Sequence, residues 1–126
     1  AKIKILKQFV FRNSNPAIFG VAIEAGKIKN SLPLMNEKGE QIAHIKGIQE
    51  NKKQVQETTQ GMEVAISLPG VNFERQLNET DYLYSDMSEG QFRDFKDNKD
   101  LLTNEEIETL QKIAEIKRKS NSTWGI

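Results

Sequence analysis

Apolar side chains recur at every second position through the first two thirds of this chain and at every third or fourth position thereafter. Successive side chains of a strand point to opposite faces, so period two marks half-buried strands. Over residues 2–12, Ile3, Ile5, Phe9 and Phe11 share one parity, and Lys2, Lys4, Gln8 and Arg12 hold the other. Asn13-Ser14-Asn15-Pro16 is a turn cluster. Phe19, Val21 and Ile23 restart the alternation, and Gly26 ends it. Leu32 to Met35, interrupted by Pro33, reads as an edge strand, because proline cannot donate to a ladder. Asn36-Glu37-Lys38-Gly39 reads as a hairpin turn. Gln41 to Ile48 reads as one strand bulged at Gly47. Met62, Val64, Ile66 and Leu68 alternate cleanly before Pro69-Gly70, and Tyr82 to Tyr84 forms the last short strand. About six short strands separated by turn signals predict a mainly β fold, a barrel or a sandwich.

The period changes at Met87. Ser88-Glu89-Gly90-Gln91 and Thr103-Asn104-Glu105-Glu106 both fit the capping box, in which a hydroxyl caps the third amide of a helix and Gln or Glu reaches back. Met87 with Phe92, and Leu102 with Ile107, take the staple positions. Ile107, Leu110, Ile113 and Ala114 continue at helical spacing. Glu105, Glu106 and Glu108 suit the positive end of the dipole, and Lys117, Arg118 and Lys119 the negative end. Residues 1–86 are therefore expected to form a β-barrel, and 87–126 a helical extension with helices at about 88–98 and 103–119. Trp124 is the one large anchor in the tail.

Composition excludes several chemistries. The chain of 126 residues has no cysteine, which rules out a disulfide framework, thiolate metal sites and a cysteine nucleophile. No stretch approaches the ~18 apolar residues of a membrane span. The N-terminus alternates basic and apolar residues without a continuous apolar run, so no signal peptide is expected and the expected location is cytoplasmic. The absence of an initial methionine is expected of a processed protein or an excised piece. His44 is the only histidine and is expected on the surface. Asp94, Asp97 and Asp100 lack the glycine-centred loop of a calcium site and are expected to be solvated. No phosphate-binding loop and no Gly-x-Ser-x-Gly elbow is present. The Asn-x-Thr sequons at Asn78 and Asn121 are expected to stay unmodified. No catalytic residue, metal or cofactor is expected, and the chain reads as a binding module.

The 18 basic and 18 acidic side chains cancel, but not locally. Residues 1–53 carry ten basic and four acidic groups, residues 54–116 five and fourteen, and Lys117, Arg118 and Lys119 close the chain. Such asymmetry fits one basic and one acidic partner-facing surface, and equally two parts that attract each other across one fold or are simply solvated.

Phe11-Arg12-Asn13-Ser14-Asn15-Pro16-Ala17-Ile18-Phe19-Gly20-Val21 is distinctive, as is Ala25-Gly26-Lys27-Ile28-Lys29 followed by Pro33-Leu34-Met35. Gly61-Met62-Glu63-Val64-Ala65-Ile66-Ser67, Asp81-Tyr82-Leu83-Tyr84, Glu115-Ile116-Lys117-Arg118-Lys119 and Trp124-Gly125 follow in order. Together, over essentially the whole chain, they resemble the C-terminal domain (domain IV) of the archaeal and eukaryotic translation initiation factor five-B, the counterpart of bacterial initiation factor two, with the archaeal form closest. Ser31 and Thr80 stand where that family often has glycine.

The resemblance implies a barrel like the second domain of elongation factor Tu, followed by two helices. It implies a GTPase whose nucleotide site lies elsewhere in a longer protein, so this fragment is not expected to be an enzyme. It implies initiator methionyl-tRNA, initiation factor one-A and the ribosome as partners, in subunit joining, and no membrane. Candidate tRNA contacts are Arg12, Asn13, Lys27, Lys29 and Arg75, the competing reading being solvated surface, with Phe19 and Met62 as pocket residues, the competing reading for both being barrel core. Candidate partner contacts are Phe92, Phe95, Ile107, Leu110, Ile113 and Trp124. The competing reading is a pure protein-interaction module that acts through its acidic helices and makes no tRNA contact.

Overall fold

The structure is a computed structural model describing residues 1–126. Ten strands precede the helical extension: β1 (Lys2–Arg12), β2 (Ala17–Ala25), β3 (Lys27–Lys29), β4 (Pro33–Met35), β5 (Gln41–His44), β6 (Gly47–Glu50), β7 (Lys53–Val55), β8 (Glu57–Thr59), β9 (Glu63–Leu68) and β10 (Tyr82–Ser85). A short helix α1 (Phe73–Gln76) lies between β9 and β10, and α2 (Glu89–Asp97) and α3 (Asn104–Arg118) follow. Eight strands form one sheet in the order β5-β4-β10-β1-β2-β9-β6-β7, and β3 pairs with β8 beside it. Bonds at residues 45 and 46 close the sheet into a barrel: Ile45 N donates to Leu32 O at 3.0 Å and Lys46 N to Ser67 O at 2.9 Å. The fold is mainly β with C-terminal helices, as the periodicity predicts.

The barrel core collects the inward parity of the long strands. Ile3, Ile5, Phe19, Val21, Ile23, Val64, Ile66, Leu68, Ile48 and Leu83 are all buried in it. Each such side chain contributes about 1.5–3 kcal/mol on burial.

Three strand expectations need correction. Phe9 and Phe11 do not continue the inward parity of Ile3 and Ile5. The β1–β2 register passes from Leu6↔Gly20 to Val10↔Phe19, so Lys7 to Phe9 form a bulge and the parity is lost. Pro33 does not mark an edge, since β4 lies between β5 and β10; proline is tolerated because it begins the strand. Residues 41–48 are not one bulged strand but two, because the chain crosses at Ile45–Lys46 from one side of the barrel to the other.

The extension is rigidly seated. Both capping boxes form, with Gln91 N donating to Ser88 Oγ at 3.2 Å and Glu106 N to Thr103 Oγ1 at 3.2 Å. A second core joins Met35 of β4 and Tyr84 of β10 to Met87, Phe92, Leu110, Ile113, Ile116 and Trp124. Half-buried Lys117 pairs with Asp86, whose other oxygen accepts from Gln41 Nε2 at 3.0 Å. Arg118 Nε donates to Trp124 O at 2.8 Å, and the guanidinium lies over Phe92. Gly125 has φ +75°, and a Cβ there would meet the Phe92 ring at 2.7 Å. Burial, then the carboxylates of Glu37, Glu24 and Glu115 with Tyr82, pushes the Tyr84 hydroxyl up to about 12, so it stays protonated as a core group.

Candidate functional site

Because alternate residues of β1, β2, β9 and β6 face inward, the others build an outer face. The registers Leu6↔Gly20, Gly20↔Ala65, Ala65↔Gln49 and Ile18↔Ser67 place the small residues Gly20, Ala65 and Ser67 at its centre. The β1 bulge overhangs this floor. Phe9 lies against Gly20, where an added Cβ would come within 3.0 Å of Phe9 Cβ. Phe9 and Phe11 are 48% and 65% exposed, so two aromatic rings stand at the rim of a shallow apolar floor. Soluble domains seldom leave adjacent large apolar groups uncovered without use.

Cations border the same region. Arg12 is exposed; its Nε donates to Ser14 O at 2.9 Å, and it forms no ion pair. Lys7 is tied to Asp81 at 3.0 Å. Beyond β9 from β2, and three to five residues further along the sheet than the rings, the β6–β7 hairpin turns through Asn51 and Lys52 at φ 50° and 67°. This left-handed pair suits Asn and Gly but is costly for lysine. Lys46, Lys52 and Lys53 are exposed and none forms an ion pair.

The tRNA candidates read from the sequence do not converge. Arg12 and Asn13 lie at one end of β2, and Lys27 and Lys29 of β3 follow its other end, roughly 25–30 Å away. Asn13 is a scaffold: its Oδ1 accepts from Glu74 N at 2.9 Å, its Nδ2 donates to Asn72 Oδ1 at 3.2 Å, and its carbonyl accepts from Phe73 N at 2.8 Å. Arg75 borders a cleft of about 660 Å³ shared with Glu37, Glu40, Glu74, Glu79 and Asp81, a negative field that opposes phosphate. Phe19 lines no surface pocket. It is fully buried against Phe73, with ring centroids 4.9 Å apart. Met62 packs, half-buried, against the same core. The accessible rings are Phe9 and Phe11, which strict alternation turns inward. The lost register of the bulge, not any residue type, puts them outside.

Among the partner candidates, Phe92, Leu110, Ile113 and Trp124 form the second core, Phe92 and Trp124 with ring centroids 4.9 Å apart. No open groove therefore runs between the two helices along these residues, because the tail closes it. Phe95 (43% exposed) and half-buried Ile107 remain accessible. A cleft of about 530 Å³ does exist between barrel and extension, lined by Lys27, Lys29, Leu32, Phe95, Leu102 and Leu110 among others. Ala1 lies in it, and burial lowers its amine to about 6 despite nearby Glu106. No group of His, Asp and Glu converges as a metal site. No helix is long and apolar enough to cross a membrane.

The family model of Elongation factor Tu domain 4 matches residues 1–84. A probable translation initiation factor IF-2 of Methanopyrus kandleri is 46% identical over 126 residues, covering 99% of this chain and 21% of the relative. Its counterpart in Metallosphaera sedula is 39% identical over 127 residues, with the same coverage. The crystal structure of GDP-bound aIF5B from Aeropyrum pernix superposes with a TM-score of 0.89 at 33% identity, over 98% of this chain and 21% of that one. The chain thus spans about a fifth of the length of the relatives it matches.

Proposed function

We propose a function from one premise: the chain belongs to the Elongation factor Tu domain 4 family and is a domain of an archaeal-type translation initiation factor. In our reading it is a non-catalytic part of a GTPase that acts in the cytoplasm and binds the acceptor end of initiator methionyl-tRNA. The observation that carries this is the outer face. Phe9 and Phe11 offer π-faces to unpaired terminal bases, a contact worth about 1–3 kcal/mol per base. Phe9 itself covers Gly20, so a slender apolar side chain would lie beside the rings, over Ala65 and Ser67. Arg12 beside the rings, and Lys52 and Lys53 farther along the sheet, supply cations for phosphates, which position the strand without reading its sequence. A neutral total charge suits this use, since nonspecific, salt-driven RNA binding would be weak.

The finer family reading also gives the domain initiation factor one-A and the ribosome as partners during subunit joining. The accessible acidic extension around Phe95 and Ile107 is the surface we assign to the protein partner. The tRNA reading is tested by titrating initiator methionyl-tRNA and following amide chemical shifts. Changes are expected at Phe9 to Arg12, Gly20, Ala65 and Lys52–Lys53. Changes confined to residues 86–126 would overturn barrel binding and favour the pure protein-interaction reading.

A further inference from the structure

The residue that decides where Phe9 sits is on the neighbouring strand. Gly20 is buried in β2, which lies between β1 and β9 in the sheet. It does not hold a positive φ, so its backbone conformation would accept any residue. Glycine inside a strand weakens the strand, and it often marks a place where another group approaches closely. Here that group is Phe9. A Cβ on Gly20 would lie 3.0 Å from Phe9 Cβ, 3.6 Å from Phe9 Cδ2 and 3.6 Å from Leu6 Cβ. The first atom met is a Cβ, which no change of rotamer withdraws; the backbone of the bulge would have to move. The ladder does not hold that stretch, because pairing passes from Leu6↔Gly20 directly to Val10↔Phe19. An aromatic ring laid across a glycine of the adjacent strand is a known way to pin a sheet locally.

We propose that Gly20 is a positioning residue for the outer face: the room it leaves seats Phe9 as a fixed platform for an unpaired base. Gly20 acts through Phe9 and makes no contact with RNA itself. The identity of the base rests on the tRNA reading; the seat does not. A ring held in place before the ligand arrives gives up little side-chain freedom on binding, so the seat adds affinity. It adds no sequence preference, since every base offers a π-face. The two exposed rings are therefore unequal. Phe9 lies down on Gly20, and Phe11 stands more exposed beyond it.

Two measurements test the seat without RNA. With 4-fluorophenylalanine at position 9, Gly20→Ala should move the fluorine resonance toward that of the free amino acid; an unmoved resonance overturns the proposal. Any fall in the denaturation midpoint caused by Gly20→Ala should be lifted by Phe9→Gly, which removes the Cβ in the way. A fall that persists with Phe9→Gly overturns it too, because the glycine then serves the strand alone. The third measurement is affinity for initiator methionyl-tRNA. Gly20→Ala and Phe9→Ala should each weaken binding at least fivefold, and the double variant should bind within twofold of either, since without the ring the added methyl has nothing to displace. Losses that multiply in the double variant contradict a role through Phe9. A wild-type chain that does not bind the tRNA refutes the tRNA reading, and the positioning role with it, whereas an unmoved fluorine resonance refutes the role of Gly20 alone.

Discussion

At the residue scale, two pairs of similar residues behave oppositely. Phe19 fills the barrel core, so Phe19→Ala should destabilise the protein by about 3–5 kcal/mol in denaturant unfolding. Phe11→Ala should leave stability within about 0.5 kcal/mol and instead weaken binding of the aminoacylated acceptor end. The two phenylalanines look alike in the sequence; only the bulge separates them. Similarly, Gly61 and Gly125 both hold positive φ, but an added Cβ at Gly61 meets nothing within 4 Å, whereas at Gly125 it meets a ring. Gly125→Ala would drive a methyl group into a ring already wedged between Trp124 and Arg118, and should cost about 1–3 kcal/mol of unfolding free energy. A terminal Trp-Gly is legible as an anchor, but the glycine's close approach to Phe92 is not.

At the element scale, legibility followed length and local chemistry. The two capping boxes located α2 and α3 to within a residue or two, because a cap is a bond between near neighbours. The long strands β1, β2 and β9 were legible from period two. The three-residue strands β3, β7 and β8 were not, since three residues cannot display an alternation, and Lys53-Gln54-Val55 carries a single apolar group. The crossing at Ile45–Lys46 was hidden because its residues keep strand-like composition. The join between barrel and extension was also hidden. Its key contact is Asp86 to Lys117 and Gln41, partners far apart in sequence. Asp86→Ala leaves a half-buried ammonium without its counterion and should lower stability by about 1–3 kcal/mol. Lys117→Met keeps the stem packed but strands the Asp86 carboxylate, with Gln41 as its remaining partner, and should cost a similar amount by the same denaturant assay.

At the scale of the whole molecule, two cores share one frame, and the outer face proposed for tRNA lies on the barrel, outside the second core that seats the helical extension. For the 126-residue chain itself, the Ala1 amine makes stability depend on pH. Its ordinary value is 8.0 and burial lowers it to about 6 in the fold. Between these values the unfolded chain binds the proton and the folded chain does not. Unfolding free energy should therefore rise from pH 6 to pH 8, by about 3 kcal/mol at most, and fall again as the pH drops through that window. Thermal melts should show this rise, and an N-acetylated chain, which has no amine to titrate, should not. The balanced charge of the sequence also gains a location. Unpaired Arg12 borders the exposed rings, and carboxylates crowd the cleft around Arg75 and the outer helices.

Whether the outer face holds the aminoacylated end of initiator tRNA is decided by the hydrolysis rate of the methionyl ester. With saturating protein, the ester of initiator methionyl-tRNA should hydrolyse severalfold more slowly than free, and a Phe9→Ala/Phe11→Ala double variant that unfolds normally should lose that protection. Equal hydrolysis with and without the wild-type protein would rule out the outer face as the seat of the acceptor end.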